Sequence, residues 1–297
     1  MLRMYWNRIK SSFFPLRKWI QLSSAAILNG YLFGFTHKTI YTGKLKSTCI
    51  PVLNCYSCPG AIGSCPIGAL QAVVGGVHER FPFYVLGSMM LFGIILGRVV
   101  CGFLCPFGFL QDLLNKIPHP KITIPPKMDK WLRYIKYFIF LFAVILFPAF
   151  YQSSIGGTPP YFCKYICPVG TLEGGIPLVI LDNMLRCVAG TLFRWKLILL
   201  LLILAASIII PRFFCRYLCP LGAFYGLFHK FSFIQMSLDK EKCTGCMSCE
   251  KACPMQVKIT NNINSPECIR CGVCKRHCST DAIQYTVIFQ NTKNNPL

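Results

Sequence analysis

Apolar residues in this chain come in long blocks, and the polar residues collect between them. Four blocks, approximately 19–37, 81–100, 134–152 and 195–214, approach the length needed to cross a hydrocarbon core, about 20 helical residues. The third (YIKYFIFLFAVILFPAFYQ) and fourth (WKLILLLLILAASIIIPRFF) are the clearest, whereas the first holds Gln21 and Asn29. Arg3, Arg8, Lys10, Arg17 and Lys18 come before or at the start of that first block, as in a signal peptide. No small-residue cleavage site follows its apolar core, so it is expected to be a retained helix. Two more apolar stretches, 66–76 and 174–193, are too short or too broken to span. They are expected to be re-entrant half-helices inside the protein, with an interfacial amphipathic helix as the alternative.

Composition points the same way. The chain is 54% hydrophobic with mean hydropathy +0.50, and only 14% of its residues are charged, against about 25% in soluble domains. Its net charge of +21 would suit a nucleic-acid binder, but the basic residues flank apolar blocks, which is the mark of membrane topology. No nucleic-acid partner is expected. The positive-inside rule places the N-terminal segment and the Lys116, Lys121, Lys127, Lys130, Arg133 and Lys136 segment in the cytoplasm. Residues 154–193, with Lys164 and Arg186 against Glu173 and Asp182, face outward, and both termini are cytoplasmic. The domain reading is a basic segment 1–18, a membrane domain 19–232 and a C-terminal domain 233–297.

Nineteen cysteines dominate the chemistry. A disulfide scaffold is excluded by the C-x2-C and C-x3-C spacings, which favour convergence on a metal. The runs CTGCMSCEKACPMQ (243–256) and CIRCGVCKRHCSTD (268–281) each read C-x2-C-x2-C-x3-C. In two-cluster ferredoxins the fourth cysteine of each run ligates the other cluster. One [4Fe–4S] cluster is therefore assigned Cys243, Cys246, Cys249 and Cys278, and the second Cys268, Cys271, Cys274 and Cys253. Zinc is the competing reading, and eight cysteines in two such runs weigh against it. Pro254 follows the first run, whereas Ser279 replaces proline in the second.

VVCGFLCPFGFLQDLL (99–114) and FFCRYLCPLGAFYGLF (213–228) are near copies at the ends of apolar blocks. Cys101, Cys105, Cys215 and Cys219 supply the four thiolates of a third cluster, and Pro106 and Pro220 suit the first turn of a following helix. A further copy holds Cys163, Cys167 and Pro168. Its partner, NCYSCPGAIGSCPIGALQ, holds Cys55, Cys58 and Cys65. Cys65 aligns with Cys167, and position 61, opposite Cys163, is alanine, so Cys55 or Cys58 fills that place, with Cys49 as a further candidate. The chain thus reads as an internal duplication. The expected fold is mainly α, a four-helix transmembrane bundle with re-entrant segments holding a cluster near each face, plus a small α+β two-cluster domain. Cys187 has no motif and reads as a buried small apolar residue. A haem is not expected, because His37, His78, His119, His229 and His277 fall at block edges or in loops.

Repeated C-x3-C-P-x-G motifs and a C-terminal two-cluster run resemble the NapH/NosR-type membrane polyferredoxins, over about residues 50–285. The resemblance implies electron transfer between the quinone pool or a cytoplasmic ferredoxin-like donor and a redox protein outside the membrane, a flavoprotein or reductase. It also implies a home in the cytoplasmic membrane of a bacterium or archaeon. The chain departs from the NosR branch in lacking a large N-terminal flavin-binding domain. Two other roles stay open: a quinol dehydrogenase subunit, with His78, Glu79 and Arg80 at a membrane edge, or an accessory electron donor for metalloenzyme maturation. No hydrolytic acid pair, nucleophile–base arrangement or phosphate loop is present.

Overall fold

The computed structural model describes residues 16–37, 39–76, 83–120, 122, 124–151 and 158–287. Arg3, Arg8, Lys10, Lys121 and the His78, Glu79 and Arg80 cluster lie outside the described residues. The fold is mainly helical. Among the described residues two helices, Pro126–Phe150 and Thr191–Ile209, are long and apolar enough to cross a membrane. They correspond to the third and fourth apolar blocks, and most of their length is exposed on the protein surface. Pro126 sits in the first helical turn, where its missing N–H costs nothing. Within that helix, Phe140–Leu146 widens into π-helical turns just before Pro148. A proline ring clashes with the carbonyl four residues back, and the wider turn makes room for it.

The first two blocks differ from the expectation of unbroken spans. The first runs as helix 16–28 and resumes as Phe33–His37. Between them the backbone turns to a neighbouring loop: Tyr31 donates its N–H to the Gly60 carbonyl and Ile62 donates to that of Leu28. Gly34 allows this approach, since a Cβ there would lie 2.2 Å from the Pro59 oxygen. The second block forms Phe83–Ile95, after which Gly97, at φ +55°, ends the helix and Val99–Phe103 begins a new one. A left-handed glycine just past a helix end is a common stop. Here it frees Arg98 to turn inward. The exposed side chains of these broken segments are still apolar, among them Ile27, Leu32, Phe33, Phe83, Tyr84 and Leu91.

The two stretches expected to be re-entrant part company. Pro66–Val74 is a short helix that buries Ile67, Leu70 and Gln71 against the Pro126–Phe150 helix. Ile176–Leu181 and Asn183–Val188 bury no residue at all, and Ile180, Met184 and Val188 are exposed. This stretch lies at the protein surface, touching Phe33–His37 and Gly170–Gly175 without being enclosed by them.

The C-terminal module pairs two short strands, β1 (Ile234–Leu238) and β2 (Ile283–Val287). They are antiparallel, with Ile234 opposite Val287 and Leu238 opposite Ile283. The helices Ser248–Lys251 and Val273–His277 pack together beside them. This is the small α+β unit read from the sequence. Its duplication is visible in the backbone. Left-handed residues occur two and four positions after the first cysteine of each run: Gly245 and Met247 after Cys243, Arg270 and Gly272 after Cys268. Gln256 and Asp281, three residues after Cys253 and Cys278, repeat the pattern. Tight turns of this kind point successive backbone N–H groups into one concavity suited to an anion.

Candidate functional site

Two of the four predicted cysteine groups stand as sets of four around a cavity, and the other two are looser. In the C-terminal module Cys253, Cys268, Cys271 and Cys274 line one cavity together with Met236, Val257 and Ile259. Cys249 and Cys278 lie within electrostatic reach of each other, and Cys243 and Cys246 sit on the loop that leads into them. Cys246 is exposed and the other three of this set are half-buried. The module therefore has one shielded site and one site near solvent.

Cys101, Cys105, Cys215 and Cys219 line a second cavity, closed by Pro51, Val52, Leu53 and Arg98. All four are buried. We call this the proximal site, because it adjoins the C-terminal module. Cys105 and Cys219 occupy the residue before the Pro106–Leu114 and Pro220–Leu227 helices, each with proline in the first turn. Gly222 donates its N–H to the Cys219 sulfur at 3.4 Å. The helix N-terminus thus faces the thiolates, where its dipole favours negative charge.

The distal site repeats this construction. Cys65 precedes the Pro66–Val74 helix, and Cys167 stands within electrostatic reach of Cys163, Cys65 and Cys55. Cys58 reaches Cys55 but is turned away, its sulfur 3.8 Å from the Asn29 Oδ1. Cys49 is buried in a bridge to Ser64, and Cys187 is exposed. Tyr225, fully buried, lies within electrostatic reach of Cys101, Cys49, Cys65 and Cys219. Its hydroxyl donates to the Pro51 carbonyl at 3.1 Å.

Four thiols around one cavity, as at the shielded and proximal sites, are the donor number and donor type that a [4Fe–4S] cluster takes.

Comparison with known proteins agrees. The family described as "4Fe-4S binding domain" matches residues 64–84, 81–125, 137–176 and 193–237, and that described as "4Fe-4S dicluster domain" matches 235–279. The chain is 34% identical over 203 residues to uncharacterized protein MJ0750 of Methanocaldococcus jannaschii, covering 66% of this chain and 75% of that one. It is 28% identical to the putative electron transport protein YccM of Escherichia coli, covering 74% of this chain and 62% of YccM. It is also 24% identical to the ferredoxin-type protein NapH of Haemophilus influenzae, covering 92% and 90%. The chain belongs to the NapH/NosR-type polyferredoxins. It is an iron–sulfur protein of the [4Fe–4S] type. No solved structure matches it.

In this polyferredoxin the C-terminal module is clamped onto the proximal site. Arg98 donates to the Glu267 carboxylate at 3.0 Å and to the Pro266 carbonyl at 2.7 Å, and Lys136 donates to Glu267 at 2.6 Å. Burial pushes the Glu267 carboxyl up, but Arg98 and Lys136 outweigh it and hold the group down at about 2. Gly102, next to Cys101, lies against Ile269, between Cys268 and Cys271; a Cβ on Gly102 would sit 2.6 Å from the Ile269 oxygen. Arg212 holds Asp112 at 2.6 Å and donates to the Cys101 carbonyl at 3.0 Å, while Arg17 reaches Asp112 and the Gly102 carbonyl. His229, buried under Arg270, is driven neutral by burial and by that charge, to about 3. His37, His119 and His277 are exposed.

Reading the cysteines alone missed the residue six positions after each C-P cysteine. These are Gln71, Gln111, Glu173 and Tyr225, and each reaches a cysteine segment or its neighbour. The signal was the shared offset in CPIGALQ, CPFGFLQ, CPVGTLE and CPLGAFY.

Proposed function

We propose that the protein carries electrons across a membrane through four [4Fe–4S] centres: the exposed and shielded sites of the C-terminal module, then the proximal and distal sites. Each centre, when bound, accepts and returns one electron; the chain sets their spacing and surroundings. The observation that carries this reading is contiguity. Ile269, between two cysteines of the shielded site, touches Gly102 beside Cys101, and the buried Tyr225 lies within electrostatic reach of cysteines of both the proximal and the distal set. A single step across the full hydrocarbon core of about 30 Å would be very slow, so stations between its faces are what such a wire requires.

In this reading the ligands are Cys243, Cys246, Cys249 and Cys278; Cys253, Cys268, Cys271 and Cys274; Cys101, Cys105, Cys215 and Cys219; and Cys55, Cys65, Cys163 and Cys167. The choice of Cys55 follows from a reciprocal contact. Gln71 accepts the Phe162 N–H, next to Cys163, at 2.9 Å, and Glu173 accepts the Cys55 N–H at 3.0 Å. Cys55 therefore takes the place that Ala61 leaves empty in the repeat, and Cys58 does not.

The membrane domain spans with Pro126–Phe150 and Thr191–Ile209, and the broken segments 16–37 and 83–103 complete a four-segment bundle with both termini on one side. The apolar surface of those segments supports this. The distal site then faces an extracytoplasmic redox partner, and the exposed site of the C-terminal module faces a cytoplasmic one. Anaerobic purification followed by iron and acid-labile sulfide analysis tests the proposal. About sixteen irons per chain, four for each of four clusters, is expected. About eight, only the C-terminal module being loaded, would refute it.

A further inference from the structure

Gln71 and Gln111 make the same pair of contacts at different sites. The Gln111 amide donates to the Cys215 sulfur at 3.1 Å, and its oxygen accepts the Phe214 N–H at 3.0 Å. The Gln71 amide donates to the Cys163 sulfur at 3.3 Å, and its oxygen accepts the Phe162 N–H at 2.9 Å. Both glutamines are buried, and each stands six residues after the cysteine that opens its helix. Each reaches out of one half of the repeat to the cysteine of the other.

A buried backbone N–H needs an acceptor, and the glutamine oxygen supplies one. That requirement alone would be met by a carboxylate, as Glu173 meets it for Cys55. What a carboxylate cannot supply is the N–H directed at sulfur. Hydrogen bonds to cluster sulfurs are among the determinants of cluster potential. One-electron reduction adds negative charge to the centre, and a donor aimed at a thiolate sulfur stabilises the more negative state.

From this repeated geometry we propose that Gln111 and Gln71 are positioning residues that raise the reduction potentials of the proximal and distal centres, one each, through an N–H···S bond to Cys215 and to Cys163. The inference rests on the reading of the membrane cysteines as cluster ligands. Each glutamine also ties its centre to the opposite half of the repeat, so the bond reports whether the two halves are closed.

The test uses the full-length holoprotein, purified without oxygen, with its iron content measured before anything else. Redox titration followed by EPR compares wild type with Gln111→Leu, Gln111→Glu and the matching Gln71 variants. Glutamate keeps the acceptor for the Phe N–H and removes the donor to sulfur. The expected result is a shift to lower potential of one signal in each Gln111 variant and of a different signal in each Gln71 variant, with the C-terminal signals unmoved. Labelling glutamine with 15N gives a second reading on wild type, independent of variant folding. A weak hyperfine coupling from a side-chain amide to a reduced membrane centre is expected. Full iron content with unshifted potentials, or no such coupling in wild type, overturns the inference. A wild-type protein holding only about eight irons refutes the underlying ligand reading instead.

Discussion

The proximal and distal sites are built on the same C-P-x-G turn, yet they stand in different surroundings. All four proximal cysteines are buried, and the site is roofed by the C-terminal module through Gly102, Arg98 and Glu267. At the distal site Cys65 and Cys167 are buried while Cys55 and Cys163 are half-buried, and the helices that follow Cys167 along the chain leave Ile180, Met184 and Val188 exposed. One site is sealed between two parts of the same chain; the other is open on one flank. A sealed site suits an internal relay whose neighbours never change. An open one suits exchange with a separate molecule. In the proposed wire the same local motif would serve two roles, and the difference lies in what each half has recruited around it.

The largest expected effect comes from removing a ligand. Cys105→Ser should lower iron by about four per chain and eliminate the proximal EPR signal. At the open site, Cys55→Ser should lower iron equally while Cys58→Ser leaves it unchanged; equal losses from both would break the assignment of Cys55. The next effect concerns the roof. Glu267→Gln leaves the Arg98 and Lys136 charges buried without their carboxylate, a loss of about 3–5 kcal/mol for a broken buried pair. Limited proteolysis should then release the C-terminal module far faster than in wild type, and electron exchange between module and proximal site should slow. Unchanged cleavage would show that the clamp does not hold the roof.

A smaller effect is expected from Gly102→Ala. Its methyl group would collide with the Ile269 oxygen, and overpacking of this kind costs about 1–3 kcal/mol. Stopped-flow reduction of the proximal centre should slow, with iron content unaltered, while the distal site responds only through its supply. The smallest effect is that of pH. Glu267, held at about 2, is depressed from an ordinary value of about 4.3. Its contribution to docking is therefore fully present above that ordinary value and is lost only as pH falls towards about 2. Exchange between module and proximal site should show no step from the Glu267 carboxyl between about pH 5 and 7. A step there would mean that another group governs the roof.

Much of this arrangement could be read from cysteine spacing. The two C-terminal runs bring Cys253 beside Cys268, Cys271 and Cys274, and Cys278 near Cys249, the crossed grouping that the C-x2-C-x2-C-x3-C spacing predicts. The C-x3-C-P copies likewise announced the proximal set. The third and fourth apolar blocks were legible as long helices because no turn breaks either one; the third absorbs Pro148 through the π-helical turns that precede it. The first two were not, since a glycine reads as an ordinary apolar-block residue until a neighbour needs the room. Gly34 admits the Pro59 carbonyl and Gly97 turns Arg98 inward. The choice between Cys55 and Cys58 depends on a loop whose path is set by Glu173, far away in sequence. The glutamines carried a repeated offset, but a polar residue on an apolar helix discloses its partner only when the opposite half is in place.

The central claim is that electrons pass through both membrane sites in series. The direct test is transfer in sealed vesicles: full-length protein reconstituted in one orientation, a reduced low-potential donor outside and a membrane-impermeant acceptor trapped inside. Wild type should reduce the trapped acceptor. Cys105→Ser and Cys167→Ser, one at each site, should each fall to the protein-free leak while the C-terminal centres still reduce. Transfer by either variant at the wild-type rate would contradict the account.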